Sequence, residues 1–284
     1  MANLKEIRNR ISSVSSTMQI TSAMKMVSAA KLKKAQDAIT AMRPYSNKLT
    51  EILQSLSSSM DSDNKFSQNR EVKKVLIVSI TSNRGLCGGF NSNILKKSAE
   101  LANSTYKDNE VSFVAIGKKG NDFLQKSFNV DSNYIDIFDN LNMANVSLIA
   151  ESLMSKFVNE EFDKIDIIYN KFKNAATQIV VNEQFLPISQ NEDTSNNNLD
   201  YVFEPSKTEI IEELIPKSLK NQLFKAIRDS WASEHGARMT AMHKATDNAT
   251  ELRDDLKLVY NQARQAAITN EILEIVGGAE ALNN

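Results

Sequence analysis

The chain has 284 residues, of which 41% are hydrophobic and 24% charged, and its formal net charge is −1. Such a composition is typical of a globular protein of one or two domains, and it excludes a wholly disordered chain or one with an overall bias toward nucleic acid or membrane surfaces. The lone cysteine, Cys87, excludes an internal disulfide and a multi-cysteine metal site. There is neither an apolar run long enough to span a bilayer nor a secretory signal at the start, so we expect a protein of the cytosol or of the cytosolic side of a complex.

The first predicted element is one long helix, because residues 1–43 contain neither Gly nor Pro. Its apolar residues recur at alternating spacings of three and four, which is typical of a left-handed coiled coil. The same frame passes through polar residues at Thr21, Lys25 and Ser28, so we expect the apolar stripe to drift there. The drifted stripe comprises Ile20, Ala23, Val27 and Ala30.

Basic residues dominate this first helix. Residues 1–48 contain nine basic residues against the two acidic residues Glu6 and Asp37. A basic helix is either a solvated face or a surface for an acidic partner.

The middle of the chain alternates between predicted strands and helices. Short β-branched runs at 75–80, 111–116 and 165–169 indicate strands buried on both faces, and 178–187 is a further strand. Helical patterns lie between them, over residues 91–106, 118–127 and 143–160. This alternation predicts a doubly wound, Rossmann-like α/β domain. The Asn-rich segment 190–200 is predicted to be a surface loop.

The last predicted element is a second long helix, since residues 217–276 contain only Gly236 and no Pro. Its apolar frame is expected to pair with the first helix in an antiparallel coiled coil, because the two helices flank the folded middle. The frame comprises Trp231, Met242, Ala245, Ala249, Leu252, Leu256, Val259, Ala263, Ala266 and Leu273. We therefore predict a shaft helix over 1–58, an α/β domain over 71–204 and a shaft helix over 206–284.

No motif in the chain indicates catalysis, a cofactor or a metal. The loop Arg84–Gly89 follows the first strand, but it lacks the Gly-Lys-Ser/Thr of a phosphate-binding loop and the GxGxxG of a dinucleotide site. We expect Gly85, Gly88 and Gly89 to form a tight structural turn. His235 and His243 lie two helical turns apart, too far to chelate one metal. The C-terminal segment 268–279 is apolar around much of its circumference, so we expect another protein to surround it.

Three separated segments match the motifs of one known family: Ile7–Ile11 with Gln19–Lys31, the loop Asn83–Gly89, and the segment from Ala237 to Ala266. Together they resemble the gamma subunit family of F-type ATP synthases. The last segment continues into Ile268-Thr269, Glu271, Glu274 and Gly278-Ala279, which match the end signature of that family.

This resemblance implies a non-catalytic central rotor stalk, which couples proton flow through the membrane sector to ATP synthesis by rotation. The implied partners are the alpha and beta subunits, the epsilon subunit and the c-subunit ring. The implied location is peripheral, on the cytoplasmic face of the bacterial plasma (inner) membrane, with membrane contact only through the complex and no contact with nucleic acid. The implied partner contacts are Met24, Lys25, Lys31, Lys33, Arg238, Ile268, Thr269, Glu271 and Glu274.

Two alternatives remain at this stage. A nucleotide-dependent α/β enzyme would use the loop at Gly85–Gly89 and would bind ATP or NAD. A coiled-coil nucleic-acid binder would use the basic first helix and would show salt-sensitive binding to DNA.

Overall fold

A computed structural model describes residues 4–57, 65–68, 70–188 and 207–282. The chain forms two compact units, one of residues 1–27 with 239–284 and one of residues 28–238. Two long helices contribute to both units, α1 (Leu4–Ser57) and α5 (Lys207–Leu282). The predicted loop over 190–200 lies outside the described residues. The bounds of the three segments, 1–58, 71–204 and 206–284, stay a prediction from the sequence. Among the described residues, no helix has both the length and the hydropathy needed to cross a bilayer.

The larger unit contains a five-stranded sheet in the order β3-β2-β1-β4-β5. Strands β1 (Lys74–Ile80), β2 (Glu110–Ile116), β3 (Asn129–Tyr134) and β4 (Lys164–Phe172) run parallel, and β5 (Gln178–Leu186) is antiparallel at one edge. β1 and β4 are central and almost wholly buried, which explains their continuous β-branched sequences.

Helices cover both faces of this sheet, so the predicted doubly wound α/β architecture is confirmed. The linking helices are α2 (Phe90–Glu100), α3 (Lys118–Leu124) and α4 (Met143–Val158), and a π-helical turn continues α2 over Leu101–Thr105. Side chains of α2 and α3 pack on one face of the sheet. Those of α4 and of α5 between Ile215 and Ile227 pack on the other face.

β3 was missed by the sequence prediction. Its sequence, NVDSNY, contains four polar residues among six, and none of its side chains is fully buried. Because β3 pairs only with β2, at the edge of the sheet, it does not need the apolar run that marks a central strand.

The buried face of α1 keeps one unbroken frame of alternating three- and four-residue spacings. The predicted drift of the stripe is wrong: Thr21 and Ser28 are buried and Lys25 is half-buried, whereas Ile20 and Val27 are 60% and 57% exposed. We call this face the α1 seam. Its members are Leu4, Ile7, Ile11, Val14, Met18, Thr21, Lys25, Ser28, Leu32, Ala35, Ile39, Met42, Ser46 and Leu49.

In the smaller unit, α1 and α5 pair antiparallel. The side chains of Arg8 and Tyr260 are hydrogen-bonded at 2.8 Å, and the hydroxyls of Thr21 and Thr246 lie 2.8 Å apart. Further along α5, Thr250 donates to the sulfur of Met18 at 3.3 Å. Polar contacts across the pair therefore satisfy the polar groups in the seam, which is why the frame does not need to drift.

The predicted frame of α5 is correct at Met242, Ala245, Ala249, Leu256 and Ala263, which are buried or half-buried, and it is wrong at Leu252 and Val259. Leu252 and Val259 are 42% and 47% exposed, and the half-buried positions are Arg253 and Tyr260, one residue further along. The buried face of α5 in this unit comprises Met242, Thr246, Ala249, Arg253, Leu256, Tyr260 and Ala263.

Ala266 and Leu273, also predicted in the frame, are exposed together with all of residues 264–279. The reason is geometric. Arg8, near the first described residue of α1, already lies opposite Tyr260, so the described part of α1 does not reach the end of α5.

The α1 seam can be tested with a matched pair of substitutions. Ile7 is 6% exposed in the seam, so Ile7→Asp would bury an unpaired carboxylate and should lower the free energy of unfolding by about 2–4 kcal/mol. Ile20→Asp on the exposed face is the control and should change it by about 0.5 kcal/mol or less. The measurement is chemical denaturation followed by circular dichroism. Equal effects of the two substitutions would contradict this assignment of the seam.

Candidate functional site

The loop after β1 is held by hydrogen bonds within its own sequence. Ser82 donates its hydroxyl to the carbonyl of Arg84 at 2.7 Å, and Asn91 donates its amide to the hydroxyl of Ser82 at 2.8 Å. Gly88 has φ of +59°, a conformation that glycine adopts without steric cost. Leu86 also has a positive φ of 61°, and its side chain is 65% exposed. The side chains of Ser82 and Asn91 thus form hydrogen bonds that hold the turn in place.

Cys87 belongs to this loop, and its side chain is buried, with 2% of the residue exposed. Its thiol is within hydrogen-bonding range of Ser82 and Asn91. Burial is the main cause that raises the pKa of the Cys87 thiol. Since the thiolate is the reactive form, Cys87 is a packing residue and not a nucleophile.

Arg238 on α5 joins the loop to the long helix. Its guanidinium donates to the carbonyl of Arg84 at 3.0 Å and to that of Gly85 at 3.3 Å. It also pairs with Glu234 at 2.7 Å, one turn earlier on α5. Arg238 is only 7% exposed, so its cation is engaged inside the unit. The structure thus places it away from the surface on which a direct partner contact was expected.

The neighbouring helix face also contacts the carboxyl end of β4. Ser233 donates its hydroxyl to the carbonyl of Asn170 at 2.9 Å, and Asn170 donates its amide to the carbonyl of Phe90 at 3.1 Å. A Cβ atom on Gly236 would lie 3.2 Å from the carbonyl oxygen of Ala175, so glycine allows this close approach. In doubly wound folds, the carboxyl ends of the strands beside the topological switch point form the ligand crevice. Here α5 side chains contact the backbone at the ends of both β1 and β4.

His235 is a second buried group on this face of α5. It is 5% exposed, its Nδ1 lies 3.5 Å from the Arg238 guanidinium, and its Nε2 has no hydrogen-bond partner among the residues that the structure describes. Burial, followed by the nearby cations of Arg238 and Lys31, lowers the pKa of His235 to about 3. The ring is therefore neutral at physiological pH. Burial raises the pKa of Glu234, against the opposing effect of Arg238.

Sequence reasoning missed this cluster of Glu234, His235 and Arg238. The three residues lie at spacings of one, three and four, so they share one side of a helix. That spacing was available in the sequence, but nothing in it indicates that this side is buried against a loop some 150 residues earlier in the chain.

The structure also places the other predicted partner contacts. Met24 and Lys25 are half-buried on α1, and Lys25 Nζ lies 3.2 Å from His243 Nδ1. Lys31 and Lys33 are exposed on the same helix. These α1 residues are not brought together with those at the C-terminal end of α5.

The remaining predicted contacts lie on the uncovered end of α5. Ile268 is 49% exposed, and Thr269, Glu271 and Glu274 are exposed as well. The large apolar side chains exposed on this end are Ile268, Ile272, Leu273, Ile275 and Val276. A contiguous apolar surface of this kind marks a protein-protein contact. Among the described residues, no group of three or more His, Cys, Asp or Glu is placed to hold a metal.

Comparison with known proteins gives one consistent family. The family model described as "ATP synthase" matches residues 3–282. The ATP synthase gamma chain of Christiangramia forsetii is 65% identical over 285 residues, covering 100% of both chains. That of Flavobacterium psychrophilum is 68% identical and covers 99% of each chain.

Two solved structures have similar folds. One is the central stalk and c-ring of the Tetrahymena thermophila mitochondrial ATP synthase, with a TM-score of 0.62 and 26% identity over 80% of this chain and 99% of that one. The other is a chain of the Euglena gracilis mitochondrial ATP synthase, with a TM-score of 0.75 and 22% identity over 98% of this chain and 94% of that one. At its lower identity, the second similarity establishes the fold alone.

The neutral state of His235 predicts a specific pH dependence of stability. The unfolded histidine takes up a proton below its ordinary pKa of about 6.5, whereas the folded one does so only near pH 3. The stability contributed by neutral His235 is therefore present above pH ~6.5 and is lost as the pH falls toward ~3.

His235→Phe keeps an aromatic ring beside Trp231. It should remove this loss of stability between about pH 6.5 and about pH 3. The measurement is the free energy of unfolding against pH for the wild type and the variant, which cancels the opposite contribution of Glu234. Parallel profiles for the wild type and His235→Phe would contradict the assignment.

The loop Arg84–Gly89 lacks both nucleotide-binding motifs, and Arg238 of α5 occupies its carbonyls at Arg84 and Gly85, so we predict weak or absent nucleotide binding. Titration calorimetry of the chain with ATP, ADP and NAD should give no dissociation constant tighter than about 1 mM, or about −4 kcal/mol. A micromolar complex, abolished by a bulky replacement of Gly88, would show that the loop is a ligand site.

Proposed function

Since the chain belongs to the ATP synthase gamma chain family, we propose how its described residues serve that complex. The chain is the central-stalk subunit, a rotor and not the catalytic subunit. It couples proton flow through the membrane sector to ATP synthesis in the alpha/beta hexamer by rotation. Coupling of this kind is a free-energy relation between sites, in which the rotor angle biases the state of each catalytic site.

The observation that best supports the residue-level proposal is the uncovered end of α5. Residues 264–279 are all exposed in the part of the chain that the structure describes, and five large apolar side chains there are about half exposed or more. We propose that the alpha and beta subunits surround this end, with Ile268 and Thr269 among the contacts. Glu271 and Glu274 would contact polar groups of the same subunits, at the same end of α5.

A second proposed contact lies on α1. Exposed Lys31 and Lys33 would face acidic loops of the beta subunits, and half-buried Met24 would provide an apolar surface that slides during rotation. Lys25, a half-buried residue of the α1 seam, would reach the edge of the same surface with its ammonium. Arg238 would act indirectly, by fixing the loop Arg84–Gly89 against α5.

The α/β domain, which we place at residues 71–204, would contact the epsilon subunit and the c-subunit ring. The chain is part of a membrane-associated complex. We propose that it lies peripherally on the cytoplasmic face of the bacterial plasma membrane. Neither nucleotide-dependent catalysis nor nucleic-acid binding is favoured by a specific observation.

Genetic replacement tests the proposed function. The gene for this chain would replace the gamma gene of a related bacterium, and the complex would be purified from membranes by a tag on this chain. We expect co-purification with alpha and beta subunits in a 3:3:1 ratio and ATP-driven proton pumping by membrane vesicles. The proposed function would be contradicted if the chain were expressed but did not assemble with the other subunits, and the membranes did not pump protons.

The charges on α1 give a sharper test of coupling. Exposed ion pairs contribute only about 0–1 kcal/mol each, so Lys31→Glu with Lys33→Glu should leave assembly and ATP hydrolysis nearly intact. Because coupling is a difference between rotor angles, we expect fewer protons pumped per ATP. Lys107→Glu with Lys126→Glu makes the same change in net charge at exposed positions of the α/β unit and is the control. Full pumping efficiency in the α1 double variant would remove these lysines from the coupling surface.

A further inference from the structure

Three charged or titratable side chains meet at one nitrogen atom in the smaller unit. Lys25 on α1 places its Nζ 3.2 Å from Nδ1 of His243 on α5. Asp247, one turn further along α5, places its Oδ2 3.3 Å from the same Nδ1. No part of the proposed function uses His243 or Asp247.

The two partners of this nitrogen require opposite protonation states. A lysine ammonium can only donate, so its hydrogen bond requires an Nδ1 without a proton, which is found in the neutral ring. An aspartate can only accept, so its hydrogen bond requires an Nδ1 that carries a proton. One atom cannot satisfy both partners at once, and the presence of one proton decides between them.

We propose that His243 is a pH-dependent switch that exchanges Lys25 for Asp247 as the partner of its Nδ1. In the neutral state, the bond from Lys25 joins α1 to α5. In the protonated state, the imidazolium pairs with Asp247 within α5 and repels the ammonium of Lys25, which is released. Histidine is suited to this role because imidazole changes charge between about pH 5 and 8.

The surroundings allow this exchange without separating the helices. The side chains of His243 and Asp247 are 56% and 62% exposed, so the proton comes directly from solvent. The charged groups that contact the ring are Lys25 from α1 and Asp247 from α5. One turn away, the bond between Thr21 and Thr246 contains no group that titrates near neutral pH and keeps the two helices paired.

Release of Lys25 has a consequence for the complex, and this step rests on the proposed function. Lys25 is a half-buried residue of the α1 seam, and its ammonium lies at the edge of the surface proposed to face acidic loops of the beta subunits. Acidification would free its ammonium to join that contact and would strengthen the interaction between rotor and hexamer. A fall in cytoplasmic pH would in this way slow the rotor.

The switch is tested in the full chain by NMR, with 15N-labelled histidine and 13C-labelled lysine. In the wild type, we expect the His243 ring to lack the Nδ1 proton at about pH 8 and the Lys25 Cε signal to move with the same midpoint as the ring. In His243→Gln, whose amide oxygen accepts from Lys25 at every pH, the Lys25 signal should stay constant. Asp247→Asn should lower the midpoint of both signals. A Lys25 signal that does not follow the ring, or an Nδ1 proton already present at about pH 8, would overturn the proposal.

The consequence is tested in the assembled complex by the ratio of ATP hydrolysis rates at about pH 6 and pH 8. We expect this ratio to be about twofold lower in the wild type than in His243→Gln, the scale of one exposed ion pair. Lys25→Gln should match His243→Gln. Equal ratios in all three would overturn the effect on the rotor. A wild-type complex that never assembles would count against the proposed function, while the NMR result on the chain would still decide the switch.

Discussion

α5 extends further than α1 at one end of the helix pair, and this difference in length determines how the chain can work. The two helices pair antiparallel, and α1 begins at Leu4, so its contacts with α5 end just beyond Tyr260. α5 nevertheless continues as a helix to Leu282 and carries isoleucine, leucine and valine on a surface that no described part of the chain covers. Such a surface is typical of a protein-protein contact, and we propose that the alpha and beta subunits cover it.

The paired part of the two helices is specified by polar contacts as much as by apolar packing. Thr21 meets Thr246 in the smaller unit, and in the larger unit the amide of Asn221 donates to the hydroxyl of Ser46 at 2.8 Å, where both residues are buried. Polar residues at seam positions fix the register of a coiled coil, because any other register would leave them without partners. A rotor that transmits torque between two helices benefits from such a fixed register.

The sequence predicted the fold well where local rules dominate and less well where packing decides. The absence of Gly and Pro predicted both long helices, and β-branched runs predicted the central strands. The edge strand β3 was missed because a strand with one neighbour needs no apolar run. The seams of α1 and α5 were misplaced because hydrogen bonds to Thr21 and Thr246 across the pair cannot be seen in one helix alone. Likewise, the burial of Arg238 depends on a loop distant in sequence, and the rotor function itself came from the resemblance and not from periodicity.

Rotation of the chain inside the assembled complex is the most direct test of this account. Cys87 is buried, so a cysteine introduced by Lys107→Cys at an exposed position can carry a bead selectively while the alpha and beta subunits are fixed to a surface. We predict that ATP drives the bead in continuous rotation in one direction and that rotation stops when ATP is removed. Sustained ATP hydrolysis by an intact, labelled complex whose bead does not turn would contradict the central claim.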